Sequence, residues 1–271
     1  MIIGNRNFDV ENHTYLMGIL NITPDSFSDG GNYNYIDKAL YRVEEMISEG
    51  MDILDMGGES TRPGYQKISV EEEIERVVPI LEKVKQRFDI PVSLDTYKAS
   101  VAFAGIQAGA DMINDIWGLL YEEDMAGIIA GSQTCCCLMH NRKDGVYKEF
   151  FQEVKEDIQS ILKKAKSAGI AKEKIILDPG VGFGKSYEQN LEIIRRIEEF
   201  KSLGCPVLLG ASRKSVIGLT LDADVKERLY GTLAISAYAV SKGCSFLRVH
   251  DIRENREIIT MMEAVLKEDK Y

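Results

Sequence analysis

Carboxylate and amide side chains that suit a ligand rich in hydrogen-bond donors recur along the chain. Asp95, Asn114 and Asp178 each come at the end of a short apolar run. A carboxylate can accept two parallel N–H bonds, as from the edge of an aminopyrimidine. A buried carboxylate without a partner is costly, so Asp95 and Asp178 need partners inside a shared pocket. These residues therefore predict a site for a polar heterocycle that offers several N–H groups.

A second group of side chains carries positive charge and also lies at or near the ends of apolar runs. Its members are Arg62, Lys214, Arg248 and His250. Such side chains bind anions, and guanidinium groups match the geometry of phosphate. A polar heterocycle attached to a phosphate would satisfy both groups at once.

Short apolar runs of strand length alternate with helix-period segments and would position these side chains. The runs are residues 15–20, 52–56, 91–94, 111–113, 134–139, 174–177, 206–210 and 245–249. The helical segments cover about 35–49, 70–84, 97–108, 122–131, 151–165, 186–197, 226–242 and 253–267. Eight alternating units predict an α/β fold, a (β/α)8 TIM barrel, as a single domain over residues 1–271, with an open doubly wound sheet as the alternative. Residues 1–14 predict a short extra element, a hairpin that closes the barrel floor.

The end of every predicted strand carries hydrogen-bonding or charged side chains. Each of them alone could simply mark where the chain meets water. In a barrel, however, the carboxyl ends of the strands surround one pocket, where such enzymes place their chemistry. Eight polar ends together therefore favour a common binding site.

Composition excludes several classes of partner. The net charge of −10 argues against a general nucleic-acid or anionic-membrane binder, since both need clustered positive charge. No run approaches the ~20 apolar residues of a membrane span, and the start of the sequence does not resemble a signal peptide. The five cysteines, three of them consecutive at 135–137, fit no metal spacing and are interpreted as reduced core residues. These features predict a cytoplasmic protein.

Eight stretches that fall in order between residues 17 and 251 resemble the dihydropteroate synthases. They are "MGILNITPDSFSDGG", "DMGGESTRPG", "LDTYKASVA", "AGADMINDI", "LMH", "LDPGVGFGK", "GASRKS" and "LRVHD". The resemblance implies a (β/α)8 barrel, usually dimeric, that requires Mg²⁺ and is the target of sulfonamides. It also implies condensation of 6-hydroxymethyl-7,8-dihydropterin pyrophosphate with 4-aminobenzoate to give 7,8-dihydropteroate and pyrophosphate for folate synthesis.

The resemblance assigns roles to individual positions. The pterin would be held by Asp95, Asn114, Met139, Asp178, Lys214 and Arg248. The pyrophosphate would be held by Asn21, Thr61, Arg62, Arg248 and His250, and 4-aminobenzoate by Phe27, Pro63, Phe183, Lys214 and Ser215. Asn21 and Asp29 would lie at the Mg²⁺ ion, and the residues expected to be catalytic are Asp29, Arg62, Lys214, Arg248 and His250.

Within this resemblance the loops "NITPDSFSDGG" and "GGESTRPG" are expected to close over a reaction with carbocation character. Closure would keep water away from the cation until the arylamine attacks. One alternative is a corrinoid-dependent methyltetrahydrofolate methyltransferase, which shares parts of the pterin pocket but does not need "NITPDSFSDGG", "STRPG" or "SRKS". Another is a non-catalytic pterin-binding paralogue, which would be expected to carry lesions at these motifs.

Several residues stay outside these assignments. His140 is at least as well explained by a structural hydrogen bond as by ligand contact. Asp55 is interpreted as a polar contact inside the barrel and Asp115 as a cap or structural partner. "GVGFGKS" is not interpreted as a nucleotide-binding loop, because Pro179 stands where that motif needs its first glycine.

Overall fold

Parallel strands form the main sheet of the computed structural model, which describes residues 1–22, 32–59 and 67–267. These strands are β3 (Tyr15–Asn21), β4 (Ile53–Gly57), β5 (Val92–Asp95), β6 (Met112–Asp115), β7 (Cys135–Met139), β8 (Ile175–Asp178), β9 (Leu208–Leu209) and β10 (Phe246–Val249). Their order across the sheet is β8-β7-β6-β5-β4-β3-β10-β9, and a parallel bridge from Leu177 to Val207 joins the two ends. The sheet is thus a nearly closed barrel. The predicted TIM barrel is confirmed, and the open sheet is excluded.

Helices follow the strands and cover the outside of the barrel. They are α1 (Asn32–Ser48), α2 (Val70–Arg87), α3 (Ala99–Gln107), α4 (Asp124–Ser132), α5 (Phe150–Ala168), α6 (Tyr187–Arg195), α7 (Ser215–Leu221), α8 (Leu229–Ser241) and α9 (Ile252–Leu266). The sequence pattern predicted one helix between β9 and β10, and this count was wrong, because α7 and α8 both lie there. The seven residues of α7 are too few to show a helical apolar period. The segment around Ile197, predicted to continue α6, is instead a 3₁₀-helix.

The consecutive cysteines show how alternation in a strand builds two apolar layers. Cys135 and Cys137 pack inside the barrel, whereas Cys136 packs in the layer between the sheet and the helices. All five cysteines are free and buried, as predicted. Ile3 and Phe8 join the inner layer. The predicted extra element is therefore present, as the hairpin β1 (Ile2–Ile3) and β2 (Arg6–Asn7) against the barrel floor.

Most of the polar residues that were predicted to lie at the strand ends are the last residues of the strands. The apolar pattern ended the third and sixth strands just before Asp95 and Asp178, but both residues remain in their strands. Backbone pairing continues through them, since Asp95 is in register with Asn114 and Met139 with Asp178. This register brings the polar ends of neighbouring strands to one level of the barrel.

None of the helices in the described ranges combines the length and apolar character needed to cross a membrane. The assignment of residues 1–271 to a single domain stays a prediction.

Candidate active site

A cavity of about 280 Å³ opens at the carboxyl ends of the barrel strands. The predicted site residues that line it are Asn21, Asp95, Phe183, Lys214, Ser215, Arg248 and His250. They come from five different strands or the loops that follow them, so the barrel gathers side chains that lie far apart in sequence. This is the pocket that the strand ends predicted.

Arg248 holds two carboxylates together at the inner end of this cavity. Its Nε donates to Asp55 Oδ2 and its Nη2 to Asp95 Oδ2, each over 2.6 Å. Asp55 is completely buried, and Asp95 exposes only 8% of its surface. The two carboxylates raise the pKa of Arg248 above its ordinary value, against the opposing effect of burial. Arg248 therefore stays charged, and its guanidinium orientation is set from two sides.

Asn114 and Asp178 do not line the cavity themselves, but each lies beside a residue that does, Asn114 beside Asp95 and Asp178 beside Gly210. Asn114 donates through Nδ2 to Asp55 Oδ2 over 3.3 Å. Asp178 accepts the Gly180 N–H through Oδ1 over 2.7 Å, and its Oδ2 faces the space beside Gly210. A side chain at Gly210 would contact Asp178 and Lys214, so glycine leaves room for a flat ligand there.

Burial disfavours the charged forms of the acidic groups in this site. It raises the pKa of Asp95 to about 7, although Arg248 opposes the shift and Asp55 adds to it. Burial also raises the pKa of Asp178, with Lys214 opposing. In the described part of the chain, Asp95 Oδ1 is one of three buried side-chain atoms with no hydrogen-bond partner. A ligand that donates N–H groups would supply the missing interactions.

Lys214 carries the second positive charge of the cavity. Its Nζ donates to the Val181 carbonyl oxygen and lies 4.7 Å from the centre of the Phe183 ring. Burial lowers the pKa of Lys214 to about 8, against the attraction of Asp178. The ammonium is thus positioned between an acidic group and an aromatic face.

The remaining predicted residues of the described segments sit around this centre. His250 lies at the cavity wall with Nδ1 3.0 Å from Ser212 Oγ, and Ser215 is the first residue of α7. Met139 is buried in a separate apolar cluster with Tyr97, against which Phe183 packs. Phe27, Asp29, Thr61, Arg62 and Pro63 lie outside the described residues, and their roles stay predictions.

The residues left without a ligand role have structural partners. His140 Nε2 lies 3.0 Å from Asp157 Oδ2, and the side chain is 1% exposed. Asp115 accepts the N–H groups of Trp117 and Leu119 and so closes a turn after β6. Asp55 is the interior contact that was expected, with Arg248 as its partner.

A buried charge cluster beside the pocket was not predicted from the sequence. Lys98 Nζ donates to Glu59 Oε2 over 2.8 Å and to Glu73 Oε2 over 2.7 Å, and Glu59 lines the cavity. Arg228, which lines the cavity from the end of a 3₁₀-turn, was not predicted either. Lys98 and Glu59 both stand inside quoted motifs, "LDTYKASVA" and "DMGGESTRPG", which was the available signal. Arg228 had none.

Comparisons with known proteins agree with the geometry of this site. The family model described as pterin binding enzyme matches residues 17–250. The dihydropteroate synthase of Clostridium beijerinckii is 53% identical over 268 residues, covering 98% of this chain and 100% of that protein. These values place the chain among enzymes of this class.

Two solved structures show the same fold. The dihydropteroate synthase of Clostridium difficile, solved in the presence of pteroic acid, has a TM-score of 0.94 at 47% identity and covers 97% of this chain and 100% of its own. The enzyme of Xanthomonas albilineans, solved with 4-aminobenzoic acid, has a TM-score of 0.90 at 38% identity and covers 95% and 94%. This chain therefore belongs to the pterin-binding enzymes and, within them, to the dihydropteroate synthase family of transferases.

Proposed function

We propose that this protein condenses 6-hydroxymethyl-7,8-dihydropterin pyrophosphate with 4-aminobenzoate to form 7,8-dihydropteroate and pyrophosphate in folate synthesis. The observation that carries the proposal is the buried Asp95 carboxylate, which is fixed by Arg248 through one oxygen and whose other oxygen has no hydrogen-bond partner among the described residues. A relative was solved with pteroic acid and another with 4-aminobenzoic acid, which supports the two substrate classes.

The pterin ring would bind through the acidic inner end of the cavity. Asp95 and Asp178 would accept N–H groups of the aminopyrimidine, and Asn114 would contribute its amide from beside Asp55. Charge-assisted bonds of this kind are stronger than neutral ones and are favoured in a buried site. Arg248 would lie against the ring and Met139 would pack nearby.

Acidic groups in this pocket also favour a reaction that develops positive charge on the pterin. Asp55, Asp95 and Asp178 lie close together, and the positive charges of Arg248, Lys214 and Lys185 offset the effect of burial on Asp95 and Asp178 only in part. The raised pKa values of Asp95 and Asp178 show that their charged forms lack stabilisation. A carbocation-like centre would supply it, so the site is suited to break the bond to pyrophosphate before the amine attacks.

The leaving pyrophosphate would bind at the outer wall, near Asn21 and His250, with Arg248 reaching it from below. Mg²⁺ is part of this proposal. Among the residues described, there is no group of three His, Cys, Asp or Glu that would enclose a metal, and Asn21 offers one amide oxygen at the cavity. This fits Mg²⁺, which often binds through one or two protein oxygens together with substrate phosphates and water. Bound there, the ion would neutralise charge on the leaving group.

The arylamine would occupy the side of the cavity formed by Phe183, Lys214 and Ser215. The Phe183 ring provides an apolar face, and the Lys214 ammonium provides a charge 4.7 Å from its centre. A neutral aromatic amine is already nucleophilic, so no general base is required. Sulfonamides, which mimic 4-aminobenzoate, are proposed to compete for the same space.

Binding of the pterin is expected to weaken as the pH falls. Because the pKa of Asp95 is raised to about 7 and N–H donors favour its charged form, the bound state should hold fewer protons than the free protein. The affinity should therefore be lower by roughly tenfold at pH 6 than at pH 8, since each pH unit below the pKa costs about tenfold. Titration calorimetry in buffers of different ionisation enthalpy measures both the affinity and the proton release. Equal affinity at both pH values would contradict this role of Asp95.

The assembly and location of the protein are also proposals. Leu219, Leu221, Val225 and Tyr230 expose between 46% and 79% of their surface around α7 and the start of α8. An apolar surface of this kind is suited to pairing with a second copy, and we propose a homodimer through this face. Light scattering of the purified protein measures its mass in solution. We also propose that it acts in the cytoplasm.

The assay that tests the reaction combines the pterin pyrophosphate, Mg²⁺ and 4-aminobenzoate with the purified protein and identifies products by mass. We expect dihydropteroate only when all components are present. No product from a protein that still binds the pterin would favour a non-catalytic paralogue. Methyl transfer from methyltetrahydrofolate to a corrinoid acceptor would favour the methyltransferase instead.

A further inference from the structure

The loop between β8 and α6 carries Phe183 into the cavity and is held from below by a lysine with no assigned role. Lys185 Nζ donates to the carbonyl oxygens of Gly180 and Phe183, each over 2.9 Å. It also lies 3.0 Å from His140 Nδ1. A longer bond of 3.4 Å reaches the His140 carbonyl oxygen, so the ammonium has four acceptors, two of them in the loop itself and two on His140.

His140 is oriented to accept from this lysine. Its Nε2 lies 3.0 Å from Asp157 Oδ2 on α5, which places the ring proton on Nε2 and leaves Nδ1 as an acceptor. Burial lowers the pKa of His140 to about 4, and the charge of Lys185 adds to this effect. His140 thus stays neutral near pH 7 and serves Lys185 as an acceptor.

The loop can take this shape because its glycines adopt left-handed backbone angles. Gly180 and Gly182 have φ of 75° and 86°. A Cβ at Gly180 would overlap the carbonyl oxygen of His140, so the loop lies directly on the end of β7. The buried side chain of Val181 and the bond from the Gly182 N–H to Asn190 Oδ1 hold part of the loop, and hydrogen bonds to its carbonyl oxygens hold the rest.

Two lysines bind alternating parts of the loop. Lys214 donates to the Val181 carbonyl from the cavity side, and Lys185 binds the carbonyls of Gly180 and Phe183 from the opposite side. Burial lowers the pKa of Lys185 to about 7, against the attraction of Asp178. An enclosed ammonium is costly unless its N–H groups are satisfied, and here the loop carbonyls satisfy them.

We propose that Lys185 is a positioning residue for the arylamine, because it fastens the carbonyls on either side of Val181 and so holds the Phe183 ring against Lys214. The proposal rests on the function proposed above and deepens it at the 4-aminobenzoate subsite. Lys185 would contact neither substrate and would affect the binding of 4-aminobenzoate only through the position of Phe183.

The test compares Lys185→Met, Phe183→Ala and the double variant, with Lys163→Met on the exposed face of α5 as the matched control. Lys185→Met is expected to raise the KM for 4-aminobenzoate at least about tenfold, within the range of coupling energies between contacting groups. The affinity for the pterin pyrophosphate should stay within about twofold of wild type. In the Phe183→Ala background, Lys185→Met should add less than about a twofold effect, because the residue through which it acts is already gone.

Additive effects of the two substitutions, or a parallel loss of pterin affinity, would overturn the proposal. If Lys185→Met fails to fold, Lys185→Gln provides the same measurement, because its amide keeps two N–H donors and should show the same split at smaller size. If the wild-type enzyme is active but the Lys185 variants do not raise the KM for 4-aminobenzoate selectively, the role of Lys185 is refuted and the proposed reaction stands. An inactive wild-type protein would instead refute the proposed reaction.

Discussion

Replacing Asp178 with alanine is expected to weaken pterin binding at least about 100-fold. The carboxylate is fixed by the Gly180 N–H at 2.7 Å and buried, so the variant loses two charge-assisted bonds to the ligand. Each such bond is worth roughly 1.5–3 kcal/mol, and every 1.4 kcal/mol is tenfold in affinity. Titration calorimetry with the pterin pyrophosphate measures the effect.

The matched control for this variant is Glu257→Ala, which removes an exposed carboxylate on the outer side of α9. It should bind the pterin as wild type does. Wild-type affinity in a folded Asp178→Ala variant would refute the assignment of the pterin pocket.

Arg248→Leu is expected to lower the free energy of unfolding by about 3–5 kcal/mol, the usual cost of leaving a buried ion pair without one partner. Asp55 and Asp95 would both lose the guanidinium that neutralises them over 2.6 Å. Urea unfolding measures the loss, and Arg253→Leu, an exposed arginine on α9, serves as the control.

The loss in Arg248→Leu should shrink as the pH falls. The pKa of Asp95 is raised by burial, so its charged form destabilises the fold, and protonation removes that charge. Adding Asp55→Asn to Arg248→Leu should restore part of the stability, because it removes a buried carboxylate that has lost its ion-pair partner. A loss below about 1 kcal/mol at pH 8 would mean that the two carboxylates find other partners, and the proposed role of Arg248 as their anchor would fail.

The arrangement of the strand ends was predictable from sequence because parallel buried strands leave a simple pattern. Apolar runs followed by Asp95, Asn114 or Asp178 indicate where strands end, and closure of a barrel brings those ends together. The strand bounds agree with the prediction to within one or two residues. The same reasoning identified Lys214 and Arg248 as charges directed at one pocket.

The pairings inside the site were not predictable in this way. Arg248 and Asp55 lie 193 positions apart, and only the closed barrel brings them into contact. Lys98, Glu59 and Glu73 form their buried cluster through a similar return of the chain. Lys185 follows a glycine-rich loop, a context in which a lysine is ordinarily exposed, and its role depends on where β7 ends beside it.

A crystal structure of this protein with pteroic acid would show directly whether the pterin binds as proposed. We expect the pterin ring at the inner end of the cavity, with its N–H groups about 2.7–3.2 Å from Asp95 Oδ1 and Asp178 Oδ2. The aminobenzoate part should lie beside Phe183 and Lys214. A pterin ring bound elsewhere, or one that leaves Asp95 and Asp178 without ligand contacts, would refute the proposed pterin site.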